Sequence, residues 1–406
     1  MGTPIATPFK IDIPEARLES LKQKLALAEL PDETPLLNCW ESGTPVSDIK
    51  RLVDYWKDGF DWRATEKELN TLPQFTTKVL INDGFGELDI HFVHKKSGRP
   101  GSIPLLFCHG WPGSFIEVKK ILPLLTDPGT GPAFDVVAPS LPNFGFSQGV
   151  TKPGFALAQY ATTLHNLMLK LGYEKYVTQG GDWGFFITRL MGIQYPAHCL
   201  ASHMNFVSAD PPTFLKHPLL YLQSLLLPRT AQEKQGAART QEFYDEMCGY
   251  FHQQSTRPAT LGLALADSPV ALLAWIYEKL HDWTDAYPWT DDEVLTWVSV
   301  YWFATAGPAA PARIYYEHAH SRDKRRFARW APQAKLGLSV FPRDVTVLPA
   351  CWRRTLGPVV FERVHTEGGH FAAWERPEAL VGDVRDMFGE GGGAFNILPA
   401  PDLIRD

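Results

Sequence analysis

Near the middle of the chain, Gly180-Gly181-Asp182-Trp183-Gly184 sets a carboxylate among glycines where the pattern changes from strand to helix. Tyr176 to Gln179 reads as a short buried strand, and Phe185 to Tyr195 has the length and apolar content of a helix. Strand, glycine-flanked polar residue and helix together form a nucleophile elbow, whose middle residue sits on a strained turn at the top of an α/β sheet. Side chains at 180 or 184 would collide where strand and helix cross, so glycine is expected there. Aspartate is ionised at neutral pH and needs no base to attack an alkyl carbon, which makes an ester that water must cleave in a second step. Taken alone, the five residues also fit an ordinary Gly/Asp turn.

Other residues supply what that chemistry requires. His109-Gly110-Trp111-Pro112-Gly113 follows a strand ending at Cys108 and can aim the backbone N–H of Trp111 into the site. With the N–H of Trp183 it would form an oxyanion hole. Phe341-Pro-Arg-Asp344 puts a carboxylate just past a strand end, and Gly368-Gly-His370-Phe371 puts an imidazole in a loop before the last helix. Each alone is a common turn or loop feature, but the order nucleophile, acid, histidine is the order in which the elbow fold assembles its triad.

The positioning elements are legible as patterns. A helix is expected from Asp12, with Glu15 in a capping box, Pro14 in the first turn and Leu18, Leu21 and Leu25 on one face. Further helices are expected from Ser47 and after Asp61 as far as Leu69, then a hairpin turning at Asn82-Asp83-Gly84. Buried strands at 104–108, 135–138, 176–179 and 202–206 alternate with helices at 117–125 and 156–171, predicting a mostly parallel sheet flanked by helices. Residues from about 210 to 325 show only helical patterns, and the next strand is expected at 337–341. The expected division is a helical leader that ends in strands (1–98), a first core segment (99–209), an inserted helical lid (210–325) and a second core segment (326–406).

Composition narrows the function. The 406 residues are 45% hydrophobic and 21% charged, an ordinary globular balance with enough length for a sizeable core. A formal net charge of −6 gives no reason to expect nucleic acid or an acidic membrane as partner. Cys39, Cys108, Cys199, Cys248 and Cys351 are scattered, odd in number and lack metal-ligand spacing, as expected of reduced thiols in a cytoplasmic protein. The first residues lack a secretion signal and no apolar run has membrane-spanning length, so a soluble chain without a membrane anchor is expected. The 13 Trp favour a deep, largely apolar pocket.

With these residues in place, the chain resembles epoxide hydrolases of the α/β-hydrolase superfamily, in the microsomal-like branch that includes soluble fungal enzymes. The resemblance spans nearly the whole chain: Phe60-Asp-Trp-Arg63, Leu88-Asp-Ile-His-Phe92, His109-Gly-Trp-Pro-Gly-Ser114, Gly180 to Gly184, Ser255-Thr-Arg-Pro258 and Gly368-Gly-His-Phe-Ala-Ala373. It implies Asp182 as nucleophile, His370 as the base that activates water and Asp344 as its orienting partner. Two lid tyrosines are implied as donors to the epoxide oxygen; local match points to Tyr250 and Tyr315, with Tyr316 adjacent to the second. The pocket wall is expected from His109, Trp111, Pro112, Trp183, Tyr250 and Tyr315. A small apolar epoxide and water are the expected partners, no metal or organic cofactor is expected, and a homodimer is left open. Asn143 in Ser140-Leu-Pro-Asn-Phe-Gly-Phe-Ser147 departs from a glycine common in the family, and asparagine tolerates the left-handed angles such a turn needs. Two rivals share the fold: a haloalkane dehalogenase, which needs halide donors in place of the tyrosines, and a binding protein that has lost catalysis.

Overall fold

Nine strands form one sheet in the order β1-β2-β3-β5-β4-β6-β7-β8-β9. They are β1 (Thr7–Pro8), β2 (Gln74–Ile81), β3 (Gly86–Lys95), β4 (Ile103–Cys108), β5 (Phe134–Pro139), β6 (Tyr176–Gly180), β7 (Cys199–Met204), β8 (Lys335–Val340) and β9 (Val359–Val364). The structure is a computed structural model that describes residues 5–398. Residues 1–4, part of the segment read as lacking a secretion signal, and 399–406 lie outside the described residues. Strands β1, β2, β3 and β5 pair antiparallel, whereas β5, β4, β6, β7, β8 and β9 run parallel. Leu105, Leu106, Val136, Val137 and Val177 are fully buried, as expected for parallel strands covered on both faces.

The leader contributes α1 (Glu15–Ala26), α2 (Val46–Asp58) and α3 (Trp62–Leu69). Leu18, Leu21 and Leu25 are buried on α1, and Ile49, Leu52, Val53 and Trp56 on α2. The expected capping box at Asp12 does not form: Pro14 is the N-cap of α1, with no side-chain cap, and Glu15 instead pairs with Arg63 at 2.9 Å. The backbone N–H groups of Ile11 and Ile13 are already taken by the side chains of Asn70 and Glu66, which hold this segment extended against α3.

Packed against the sheet are α4 (Val118–Thr126), α5 (Leu157–Lys170) and α6 (Trp183–Gln194). Between β7 and β8 lies the helical insertion, with α7 (Pro218–Leu226), α8 (Ala231–Glu242), α9 (Gly249–Thr256), α10 (Pro258–Asp267), α11 (Pro269–Asp282), α12 (Asp291–Trp302) and α13 (Arg313–His320). Short α14 (Ala350–Arg353) and α15 (Ala372–Glu375) precede α16 (Pro377–Phe388), which packs on α4 and β8. Among the described residues no single helix is long and apolar enough to cross a membrane; the apolar pair α10 and α11 bends by 115° at their junction.

The sequence pattern missed the edge strands β1, exposed at both residues, and β9, half-buried and then exposed, since neither has a buried apolar run. It also placed β7 three residues late, because Asn205 and Phe206 continue the chain past the strand end into the site.

The loop after β5 shows why the leader strands matter to the site. His91 on β3 is fully buried and bonds Ser140 Oγ at 2.9 Å and Gln74 Oε1 at 3.0 Å, while burial pushes its pKa down to about 3, so it stays neutral. Asn143 adopts φ +73°. Its Oδ1 accepts from the N–H of Val150 at 2.7 Å and its Nδ2 donates to the Tyr160 hydroxyl at 3.0 Å. Glycine would supply the backbone angle but neither bond. Asn143→Ala is expected to cost about 2–4 kcal/mol, combining left-handed strain with two lost buried hydrogen bonds, and Asn143→Gly about half of that. Urea unfolding followed by Trp fluorescence measures both; equal losses would show that the angle carries no strain.

Candidate active site

Strand β6 ends at Gly180 and α6 begins at Trp183, leaving Asp182 between them at φ +49° and ψ −129°, a strained conformation for a residue other than glycine. The turn is forced by close approach: a Cβ on Gly184 would lie 1.9 Å from the carbonyl oxygen of Cys108 at the end of β4. That approach sets Asp182 against the loop after β4. The N–H of Trp111 donates to Asp182 Oδ1 at 2.7 Å. The N–H of Trp183, as the first residue of α6, is one of the amides a helix leaves without an internal partner.

His370 reaches the same point from the loop before α15. Its Nδ1–H donates to Asp344 Oδ1 at 2.6 Å, and its Nε2 lies 3.5 Å from Asp182 Oδ2. Asp344 and His370 are buried, at 2% and 5% exposure. Burial alone would depress the imidazole pKa, but the carboxylates of Asp344 and Asp182 outweigh it and raise the pKa to about 10. His370 is therefore an imidazolium held between two carboxylates at neutral pH. Its loop is tied down by main-chain bonds: its own N–H donates to Trp283 O at 2.7 Å, and the N–H of Gly369 donates to Glu375 Oε1 at 2.9 Å.

Facing Asp182 is a cavity of about 370 Å³, walled largely by aromatic side chains that include Trp183, Phe206, Tyr250 and Tyr315. Tyr250 comes from α9 and Tyr315 from α13, and both rings pack on Trp111, with centroids 5.3 and 5.7 Å away. Burial holds both phenols far above their usual range, so they remain O–H donors. Among the described residues, the buried Tyr315 hydroxyl has no hydrogen-bond partner. Tyr316 is 39% exposed and stacks on His320 at 4.1 Å, so the residue that α13 turns toward Asp182 is Tyr315.

This arrangement has close relatives. Residues 6–118 match the family described as "Epoxide hydrolase N terminus", and residues 103–258 match "alpha/beta hydrolase fold". A putative epoxide hydrolase of Stigmatella aurantiaca is 39% identical over 394 residues, covering 94% of this chain and 84% of the relative. The chain belongs to the epoxide hydrolase family. Epoxide hydrolase 1 of Oryctolagus cuniculus is 33% identical over 423 residues, covering 94% of this chain and 88% of the relative. The solved epoxide hydrolase of Aspergillus niger matches with a TM-score of 0.81 at 35% identity, covering 93% of this chain and 94% of that one. The sheet and its helical insertion are accordingly those of the α/β-hydrolase fold.

In this member of the epoxide hydrolases, the structure brings together Asp182, His370, Asp344, Tyr250, Tyr315 and the N–H of Trp111. Three expected wall residues lie outside the lining of the aromatic cavity: Trp111, whose ring sits behind Tyr250 and Tyr315 while its N–H meets Asp182, and His109 and Pro112. His109 is outside the aromatic cavity, buried with its Nε2 accepting from the N–H of Leu141 at 3.2 Å, so it braces the loop. Pro112 is also outside the cavity, and its carbonyl accepts from the indole N–H of Trp297. Three contributors had no motif to announce them. Trp283 is fully buried and packs its ring on His370 at 5.0 Å and on Tyr250 at 5.1 Å. Arg239 of α8 donates to the carbonyls of Asp344 and Asp282, at 3.4 and 2.6 Å. Glu375 holds the N–H groups of Gly369 and Asp285.

Gly110 tests how tightly the nucleophile is held, because a Cβ there would lie 2.1 Å from Asp182 Oδ1. Gly110→Ala is expected to lower kcat/KM by about 10²-fold, the cost of displacing a reacting group by roughly 1 Å. Steady-state kinetics on an aryl epoxide measure it, and near-normal turnover would mean that the carboxylate is free to move.

Proposed function

We propose that Asp182, His370, Asp344, Tyr250 and Tyr315 open an epoxide to a vicinal diol in two steps. The observation that carries this reading is that a carboxylate and two buried, protonated phenols face one apolar cavity, with the imidazolium directly behind the carboxylate. In the first step Asp182 attacks one ring carbon, the C–O bond breaks, and the ring oxygen leaves as an alkoxide that takes a proton from Tyr250 or Tyr315. In the second step His370, oriented by Asp344, accepts a proton from water while the water oxygen attacks the ester carbonyl carbon. The N–H groups of Trp111 and Trp183 stabilise the charge that develops on the carbonyl oxygen. Collapse of that intermediate releases the diol and restores the carboxylate. The aromatic walls favour a small apolar epoxide.

Charge balance links the two steps. Esterification removes the negative charge of Asp182 and with it one of the two carboxylates that hold the proton on His370. The proton that the alkoxide needs is thus matched by one that the imidazolium gives up, and His370 becomes a base only after the ester exists. Hydrolysis then returns a proton to His370 as Asp182 regains its charge. Alkylation by the wild type at pH 7–8 is therefore expected to exchange no net proton with solvent. In His370→Gln the ester should accumulate with uptake of one proton for each ester formed. Rapid mixing with a pH indicator measures this; equal uptake in both proteins would mean that His370 carries no proton at rest.

The phenols also argue against the dehalogenase reading, since halide leaves as a stable anion and needs no proton. Tyr250→Phe or Tyr315→Phe is expected to slow alkylation by about 10²-fold to 10⁴-fold, less where the other tyrosine compensates, and the double variant should lose it. Rapid-quench alkylation rates test this with Tyr316→Phe as control. A double variant that alkylates at the wild-type rate would reduce both tyrosines to packing residues.

A further inference from the structure

Helix α7 reads Pro218-Leu-Leu-Tyr-Leu-Gln-Ser-Leu-Leu226, apolar on nearly every side, yet none of its residues is buried. Leu219, Leu225 and Leu226 are exposed on the helix, the last at 75%. Phe214 and Leu215 before it and Leu227 after it are exposed as well, Leu215 at 94%. A helix this apolar ordinarily sits in a core or in lipid, and a contiguous exposed apolar surface marks an interaction site. The main neighbour of α7 is short α14, which leaves these side chains uncovered.

Cations frame the apolar face. Lys216 precedes α7 and Arg229 follows it, with no acidic residue between Asp210 and Glu233. The chain returns beside this face at 321–330: the exposed Trp330 ring lies 5.8 Å from His217, and Arg325 pairs with Asp210. That segment carries Arg322, Lys324, Arg325, Arg326 and Arg329. Segments 210–230 and 321–330 together hold seven Lys or Arg against two Asp, a local +5 in a chain whose net charge is −6. The net value averages over this patch and conceals it.

We propose that α7 and the 321–330 segment dock reversibly on the surface of a bilayer that contains anionic lipid. The leucines enter the boundary of the acyl chains, where burial of apolar area drives binding, and the cations meet the headgroups. Trp330 sits at headgroup level, where its amphipathic ring is favoured. Charge decides against a second copy as the occupant, because a two-fold contact through this face would set the cations of one copy against those of the other. A bilayer presents the opposite charge and needs no shaped pocket to accept leucines. Lys324 and Arg325 also line the aromatic cavity, so docking places its exposed edge beside the lipid. On the epoxide reading above, an apolar substrate then enters from the layer in which it concentrates.

Co-sedimentation of the full chain with vesicles tests the docking without reference to catalysis, so its failure would leave the epoxide reading standing. The wild type is expected to pellet with equimolar phosphatidylcholine and phosphatidylglycerol, to bind phosphatidylcholine alone far more weakly, and to be released as added salt screens the headgroups. Leu219→Gln combined with Leu226→Gln should weaken binding by about 10²-fold through two lost apolar side chains. Lys216→Gln combined with Arg229→Gln should weaken it by about 30-fold through two lost cations. All four positions are exposed and lie outside the aromatic cavity, so both variants should keep the wild-type circular dichroism and the wild-type turnover of a soluble aryl epoxide. A wild type that stays in solution with both kinds of vesicle, or binding that neither double substitution weakens, overturns the membrane assignment. So does a dimer, seen by light scattering, that the leucine substitutions dissociate, because a second copy then covers α7.

Discussion

Two carboxylates share one imidazole in a place that water barely reaches, and the rest of the molecule is arranged to make that tolerable. Burying three charged groups is costly, and their mutual attraction offsets the cost only if the geometry is held tightly. Each group is therefore fixed by backbone. Asp182 stands on a turn forced by contact between α6 and the end of β4, Asp344 also accepts the N–H of Val345 at 2.7 Å, and the N–H of His370 is bonded to Trp283. Strands β4, β6, β7 and β8 are neighbours in the parallel sheet, so the loops at their ends meet without long connections. The leader serves the same point from further away, through His91 and the loop that carries Asn143.

What was legible in the sequence is what backbone geometry demands of residue type. Glycine at 180 and 184, an acid between them, and the later Asp344 and His370 are requirements of a tight crossing and a proton relay, and they leave a short pattern. The periodic leader helices and the alternation of buried strands are legible for a similar reason. Half-exposed β9 and two-residue β1 bury too little to leave one. The capping box predicted at Asp12 failed because bonds from Ile11 and Ile13 to Asn70 and Glu66 hold the chain extended there, so that α1 starts only after Pro14. Spacing also could not decide between Tyr315 and Tyr316, since adjacent helical residues differ by about 100° in direction and only packing says which one faces inward.

Trp283, Arg239 and Glu375 illustrate a different limit. They act on the site through contacts roughly 90 to 105 positions away, to His370, Asp344 and Asp285, and nothing near them in the chain marks those contacts.

The helical insertion is usually pictured as a cover, but here it is a strut. Trp283 receives the N–H of His370, and Arg239 ties the Asp344 loop to Asp282, so elements of the insertion carry part of the proton relay on their own backbone. Substrate choice and reaction rate are therefore not independent traits in this fold. Trp283 backs Tyr250 of the cavity wall and also accepts the N–H of His370, so a change of cavity shape that displaces Trp283 re-aims the imidazole at the same time. Phe327 also lines the cavity, but its ring packs on Phe185, Phe186 and His318 rather than on a triad residue or either tyrosine, so cavity shape can change there at little catalytic cost.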